Sequence, residues 1–195
     1  LIKQFKGQKD IEKDIELLNS QVDRCNKILK RLTLNPVEED EFIDKDINIR
    51  NYLQEIISSF KEISKKEFVF NFDQDSNPKK ISKSIEIVYG LRNFIGNANK
   101  FAKNSIFINL KSDSEFTEIT LEDDGNGYPR DIISKIGEPY LKSNYSKDKS
   151  KEGLGLGLFI GKTLLEKNFA SVNCRNSKTR NGAEVIIRWN NKELF

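Results

Sequence analysis

Apolar residues at Ile11, Ile15, Leu18, Val22, Cys25, Leu29 and Leu32 recur at alternating steps of four and three. That is the spacing of a helix with one continuous seam, and it predicts a long N-terminal helix that packs against a partner helix. Asn35 and Pro36 end it, and the acidic stretch 38–46 offers few apolar side chains to bury, so it reads as a linker. A domain boundary is therefore expected near residue 40, dividing the chain into 1–40 and 41–195. Beyond it, 49–63 has helical periodicity, and Phe68, Phe70 and Phe72 alternate as a half-buried strand. A turn is expected over 73–80. A second helix is expected over 82–102, with Ile85, Val88, Ile95, Ala98 and Ala102 as its apolar stripe. Ile106, Ile108 and Leu110, then Ile119 and Leu121, predict the two strands of a hairpin. A glycine-containing loop at 123–127, a short helix over 130–136 and a polar stretch over 140–152 follow. The pattern closes with a helix over 158–167 and strands around 172–174 and 183–189, turning at Asn181-Gly182. Hairpins with helices between them give an α+β class, a mixed sheet with helices on one face.

Composition narrows what this pattern can do. With 195 residues the chain can bury one full-sized core, and 36% hydrophobic residues, including 13 Phe, are too many for a disordered chain. The 33 basic and 30 acidic residues leave a net charge of +3, which gives no reason to expect nucleic acid as a partner. No apolar run approaches the roughly 20 residues that cross a bilayer, so the piece is expected to be soluble and cytoplasmic, with membrane contact only through segments upstream. The chain contains no Met, so a longer protein is expected. It also contains no His, and Cys25 and Cys174 are far apart, which excludes a zinc cluster.

Three short motifs carry candidate chemistry. Asn93, Asn97 and Lys100 fall at i, i+4 and i+7 of the second helix and share a face. Amide oxygens are hard neutral ligands suited to Mg²⁺, and an amine suits phosphate oxygens. Asp123, in the run Asp123-Asp124-Gly125-Asn126-Gly127, is in phase with Ile119 and Leu121 and so points inward at a strand end. There an unpaired carboxylate is costly and needs a donor, which an amino group on a bound base would supply, while the glycines let backbone approach a flat ring. Gly153, Gly155 and Gly157, with Leu154 between the first two, open a helix, where backbone N–H groups and the helix N-terminus favour phosphate. Before them lies Gly137-Glu138-Pro139-Tyr140 and a stretch carrying Lys142, Lys147, Lys149 and Lys151, long enough to serve as a lid. Each motif alone has an ordinary reading as a solvated helix face, a polar turn, a hinge or a charged loop. Their order and spacing make the combination specific.

That order resembles the boxes of the GHKL ATPase/kinase superfamily over residues 45 to 190, and within it the histidine kinases. Gly137-Glu138-Pro139-Tyr140, the glycine-rich run from Gly153, Gly182-Ala183 with Trp189, and Arg24-Cys25 resemble the RegB/PrrB redox-responsive sensor kinases more narrowly. The resemblance implies a two-layer α/β sandwich of the Bergerat type, with ATP and Mg²⁺ as cofactors. It implies that Asn97 coordinates Mg²⁺ with Asn93 assisting, that Lys100 contacts phosphate oxygens, and that Phe101 packs against the nucleotide. Asp123 would accept from the adenine amine, Gly125 and Gly127 would shape that pocket, and Gly153, Leu154, Gly155 and Gly157 would border the phosphates. Gly96 and Asn99 depart from the bulkier or acidic residues usual in this box.

By the same resemblance, residues 8–33 correspond to the second helix of a dimerisation and phosphoacceptor hairpin, whose histidine-bearing helix is absent from this chain. A homodimer through this helix, a response regulator as partner and a redox role for Cys25 are implied. On spacing alone Cys25 is a seam residue, and Arg24 and Lys27 beside it favour a thiolate where the sulfur is exposed. Cys174, in phase with Val172, reads as inert core. Two other functions compete: an ATPase that hydrolyses ATP with water, and an inactive nucleotide-binding scaffold. Hydrolysing relatives carry an acidic residue where this chain has Asn93, which disfavours the first.

Overall fold

The computed structural model describes residues 48–73, 84–141 and 155–194. All of them belong to the unit Ile43–Phe195. The predicted seam helix, its Cys25, the turn over 73–80 beyond Asp73, and the lysine-rich stretch with Gly153 and Leu154 lie outside these residues.

Helix α1 (Ile49–Lys61) opens on Asn48, whose side chain accepts from the Asn51 N–H at 3.0 Å and so satisfies one of the donors a helix start leaves unpaired. Ile49, Tyr52, Leu53, Ile56 and Ile57 form its buried face. Strand β1 (Glu67–Phe72) follows, then α2 (Ile85–Phe101), capped by Ser84. Strands β2 (Ser105–Ser112) and β3 (Phe116–Asp123) make the expected hairpin. A single 3-10 turn, Ile133–Lys135, stands where a short helix was expected. Helix nucleation is unfavourable, and a segment of this length, ended by Gly137 at φ 99°, does not extend past one turn. Helix α3 (Gly157–Lys167), strands β4 (Ala170–Asn176) and β5 (Ala183–Asn190), and the one-turn α4 (Asn191–Leu194) complete the described chain.

The five strands lie in the order β1-β2-β3-β5-β4, with β1 parallel to β2 and every other pair antiparallel. α2 is therefore the crossover between β1 and β2, the connection a parallel pair requires. Alternation turns Ile106, Ile108, Leu110, Ile119, Leu121, Val185, Ile187 and Trp189 inward against the helices. Each buried aliphatic side chain contributes about 1.5–3 kcal/mol. Trp189, fully buried, donates its indole N–H to the Asn168 carbonyl at 3.1 Å, so its one polar atom is satisfied. The other phase carries charge: Arg180 pairs with Glu122 at 3.6 Å and Arg188 with Glu118 at 3.9 Å, with the two guanidinium groups over Phe107 and Phe116. One face is apolar and helix-covered, the other is a ladder of ion pairs, and this is the mixed, one-sided sheet that the periodicity predicts.

The buried positions of α2 differ from the expected stripe. Ile87, Leu91, Phe94, Ile95, Ala98 and Ala102 are buried, whereas Val88 is half-buried against the core. The helix is packed by α1 and α3 as well as by the sheet, so its apolar surface is wider than one stripe. Its close contact with α3 depends on Gly161, where a Cβ would lie 3.0 Å from the Phe94 ring and 3.1 Å from Asn93 Cβ. Gly96 is different, because a Cβ there would meet Phe60 at 3.5 Å, an ordinary contact. Gly96→Ala is expected to stabilise the fold by about 0.5–1 kcal/mol through helix propensity and a less flexible unfolded chain. Urea denaturation reads this as a higher midpoint at unchanged slope, and a lower midpoint would mean that Phe60 cannot give way.

Cys174 sits on the helix-covered phase of β4, half-buried. Burial pushes its thiol up to about 11, with the Tyr128 hydroxyl pulling the other way. It is protonated at neutral pH and poorly nucleophilic, in line with the inert role expected of it.

Candidate functional site

Helix α2 is the spine on which the three motifs meet. Near its middle, Asn93 donates through Nδ2 to the Tyr89 carbonyl at 2.8 Å, one turn back. This fixes the amide and leaves Oδ1 directed at the start of α3, where a Cβ on Gly157 would lie 3.6 Å from it. One turn on, Asn97 is half-buried and makes no side-chain hydrogen bond to another described residue. At the helix end Lys100 places its ammonium 5.2 Å from the Phe101 ring centre, and that ring is 45% exposed. An exposed aromatic beside a cation, at the end of a helix whose other face is core, suits a flat ligand. From Asn93 to Phe101 the helix rises about 12 Å.

The loop after β3 closes against the far end of that helix. A Cβ on Gly125 would come 2.6 Å from the Phe101 carbonyl oxygen, so only glycine lets the two backbones meet. Asp123 is 3% exposed, and its Oδ1 accepts from the Gly125 N–H at 2.8 Å and the Ala183 N–H at 3.2 Å. The sequence places Asp123 inward correctly but treats it as lacking a donor, and here the structure corrects it: the chain supplies two. Both reach the same oxygen, which leaves Oδ2 for a further donor. Burial pushes this carboxyl above its ordinary range, while the Gly125 and Ala183 donors pull it down. Its neighbour behaves oppositely. Burial raises Asp124 as well, but the N–H groups of Asn104, Ser105 and Lys103 outweigh it and hold the carboxyl below its ordinary range. Asp124 thereby ties the chain leaving α2 to the end of β3, accepting from Lys103 at 2.7 Å and Asn104 at 3.0 Å.

Gly127 is held from β4: the Asn176 amide accepts from the Tyr128 N–H at 2.6 Å and donates to the Tyr128 carbonyl at 3.0 Å. Gly155, at φ 71°, occupies the left-handed region, and a Cβ there would lie 2.3 Å from the Leu141 carbonyl oxygen. The Leu141 N–H donates to the Gly155 carbonyl at 3.2 Å, so the two flanks of 142–154 are pinned together.

Of the residues singled out from the sequence, Asn93 and Gly157 meet at one end of the helical face, and Phe101, Gly125 and Asp123 meet at the other. Asn97 and Lys100 lie between. Sequence reasoning singles out Gly182-Ala183 as a turn and a motif but not as part of the site, and it misses Asn176 and Lys66. The Ala183 N–H follows only once β3 and β5 are known to pair: the antiparallel register that sets Glu122 opposite Glu184 brings Ala183 to Asp123.

The donor set also bears on metals. Among the described residues no three His, Cys, Asp or Glu side chains converge. A hard divalent cation would find the amide oxygens of Asn93 and Asn97, too few to hold it without phosphate oxygens, which fits Mg²⁺ arriving with a nucleotide.

Residues 82–193 match the model of the histidine kinase-, DNA gyrase B- and HSP90-like ATPases. The chain belongs to this family. It is 30% identical over 185 residues to the sensor histidine kinase RegB of Cereibacter sphaeroides, a match covering 91% of this chain and 40% of that protein. The chain thus spans about 40% of the length of the curated relatives it matches. In fold, this ATPase-family domain is similar to the mycobacterial sensor histidine kinase MprB, with TM-score 0.63 at 18% identity over 74% of this chain and 97% of that one. It is also similar to full-length ShkA, solved in complex with AMPPNP, with TM-score 0.61 at 20% identity over 74% of this chain and 30% of that one. Membership makes ATP the ligand class of this ATPase-family domain. Among its described residues, no helix is long and apolar enough to cross a membrane.

Proposed function

We propose that the chain is the ATP-binding catalytic region of a two-component sensor histidine kinase. It transfers the γ-phosphoryl group of ATP to a histidine on a helix outside this sequence, for relay to an aspartate of a response regulator. Residues 1–40 are the second helix of the dimerising hairpin, residues 41–195 the catalytic domain, and the working unit is a cytoplasmic homodimer. Cys25, on that helix, is its redox-sensitive candidate.

In this reading Asp123 Oδ2 accepts from the adenine amine, Phe101 packs on the base, and Gly125 and Gly127 let the backbone lie against it. Lys100 and the N–H groups from Gly153, Leu154, Gly155 and Gly157 face the phosphates. Asn97 and Asn93 would hold Mg²⁺, which offsets phosphate charge. An imidazole nitrogen forms a bond to the γ-phosphorus as the bond to the ADP oxygen breaks, and catalysis is chiefly positioning.

The observation that carries phosphoryl transfer over hydrolysis is Asn93. Its Nδ2 is committed to the Tyr89 carbonyl, and an amide oxygen is far too weak a base to activate water. Incubating the chain with MgATP and a separate histidine-bearing helical hairpin is expected to label the hairpin as phosphohistidine. Steady phosphate release without labelling would establish the ATPase instead, and nucleotide binding with neither product would establish a scaffold.

A further inference from the structure

The C-terminal end of α2 bears Lys100 and Phe101 and abuts Gly125, yet a helix end leaves its last carbonyls without partners. The short link from α1 to β1 supplies them. Lys66 Nζ donates to the Ala102 carbonyl at 2.6 Å and also to the Asn99 carbonyl. Ser64 organises the link, since its hydroxyl donates to Asn99 Oδ1 at 2.7 Å and accepts from the Lys66 N–H at 3.1 Å. The Glu67 N–H then donates to the Asn104 carbonyl at 2.9 Å, which continues the contact into β1. From the other side Asp124 takes the N–H groups of Lys103 and Asn104. The cation on the carbonyls has the sign that the helix dipole favours at a C-terminus, while the carboxylate is held there against the dipole by its bonds to the N–H groups that follow the helix. Asn99 is the side chain that receives Ser64.

We propose that Lys66, held by Ser64, is a positioning residue for nucleotide binding: it fixes the last turn of α2 and with it the pocket wall made by Phe101 and Gly125. The proposal rests on the nucleotide site described above. Lys66 does not need to touch the ligand. Its charge reaches one group that does, because it favours the ionised form of Asp123, against burial and the like charge of Asp124. Tyr128 is a further titratable neighbour of Asp123, and burial first, then Cys174 and Asp123, push its hydroxyl well above its ordinary range.

Lys66→Gln, Lys66→Arg and Ser64→Ala, made in the full chain, test this by three readouts. In Lys66→Gln, hydrogen exchange at residues 98–102 should quicken about tenfold while α3 is unchanged, and ATP should bind about tenfold more weakly. The Asp123 carboxyl, followed by carbon NMR without nucleotide, should titrate at higher pH, which a merely structural contact would not cause. Lys66→Arg should restore all three, and Ser64→Ala should show the exchange change more weakly, which keeps the test alive if Lys66→Gln fails to fold. Unchanged exchange and an unchanged Asp123 titration would overturn the proposal even where the parent binds ATP normally. A parent that binds no ATP would instead remove the nucleotide site, while the exchange and titration would still judge the clamp.

Discussion

Asp123→Asn should unfold at a higher temperature than the parent at pH 7 and yet bind ATP between about tenfold and a hundredfold more weakly. The asparagine keeps an oxygen for the Gly125 and Ala183 N–H groups, at 2.8 and 3.2 Å from the present one, so the loop has no reason to open. What it removes is a buried negative charge. Burial raises this carboxyl above its ordinary value of 3.8. Between 3.8 and the raised value the folded chain binds more protons than the unfolded one, so stability falls as pH rises through that window. Above it the ionised group carries the full cost. The variant should therefore lose this part of the pH dependence, and the two melting curves should converge in acid. Binding moves the other way because the amide NH₂ now faces the adenine NH₂, two donors without an acceptor, in place of a charge-assisted bond of about 1.5–3 kcal/mol. Melting at pH 4 and 7 with calorimetric ATP titration checks both halves. Equal ATP affinity would exclude Asp123 from the pocket, and a lower melting point at pH 7 would show that its backbone bonds need the charge.

Gly182→Ala is expected to destabilise the chain by about 3 kcal/mol or more, a large share of the roughly 5–15 kcal/mol typical of a domain. A Cβ there would lie 1.8 Å from the Asp123 carbonyl oxygen and 2.5 Å from Oδ1. The first of these is backbone inside a paired strand, which cannot swing aside as a side chain can. β5 would have to part from β3 at the point where Ala183 reaches Asp123, so whatever fraction folds should also bind ATP poorly. A urea midpoint equal to the parent's would mean that the β4–β5 turn yields far more easily than its contacts imply.

The sheet and helices were legible because burial imposes their periods. Ile106, Ile108 and Leu110 alternate, and Ile49, Leu53, Ile56 and Ile57 return every turn, whatever lies opposite them. For α2 that reading weakened: a helix packed by neighbours as well as by the sheet hides two of its most buried residues, Leu91 and Phe94, among further apolar residues. The side-chain half of the site was legible for the same reason, since strand phase alone turns Asp123 inward. The other half was not. The Ala183 N–H, the approach of Gly182 and the reach of Lys66 to the Ala102 carbonyl depend on which strand lies beside which, and a backbone group has no side-chain identity to mark it.

Among the described residues β5 follows β3 and β4 in the chain, yet it lies between them in the sheet. While the ribosome is still working, β3 has one bare edge and β4 has no neighbour at all. Gly182 and Ala183 emerge with β5, so until that strand is made the Asp123 carboxylate has one of its two backbone donors. A chain cut short of residue 183 lacks both the second donor to Asp123 and the strand that joins β3 to β4.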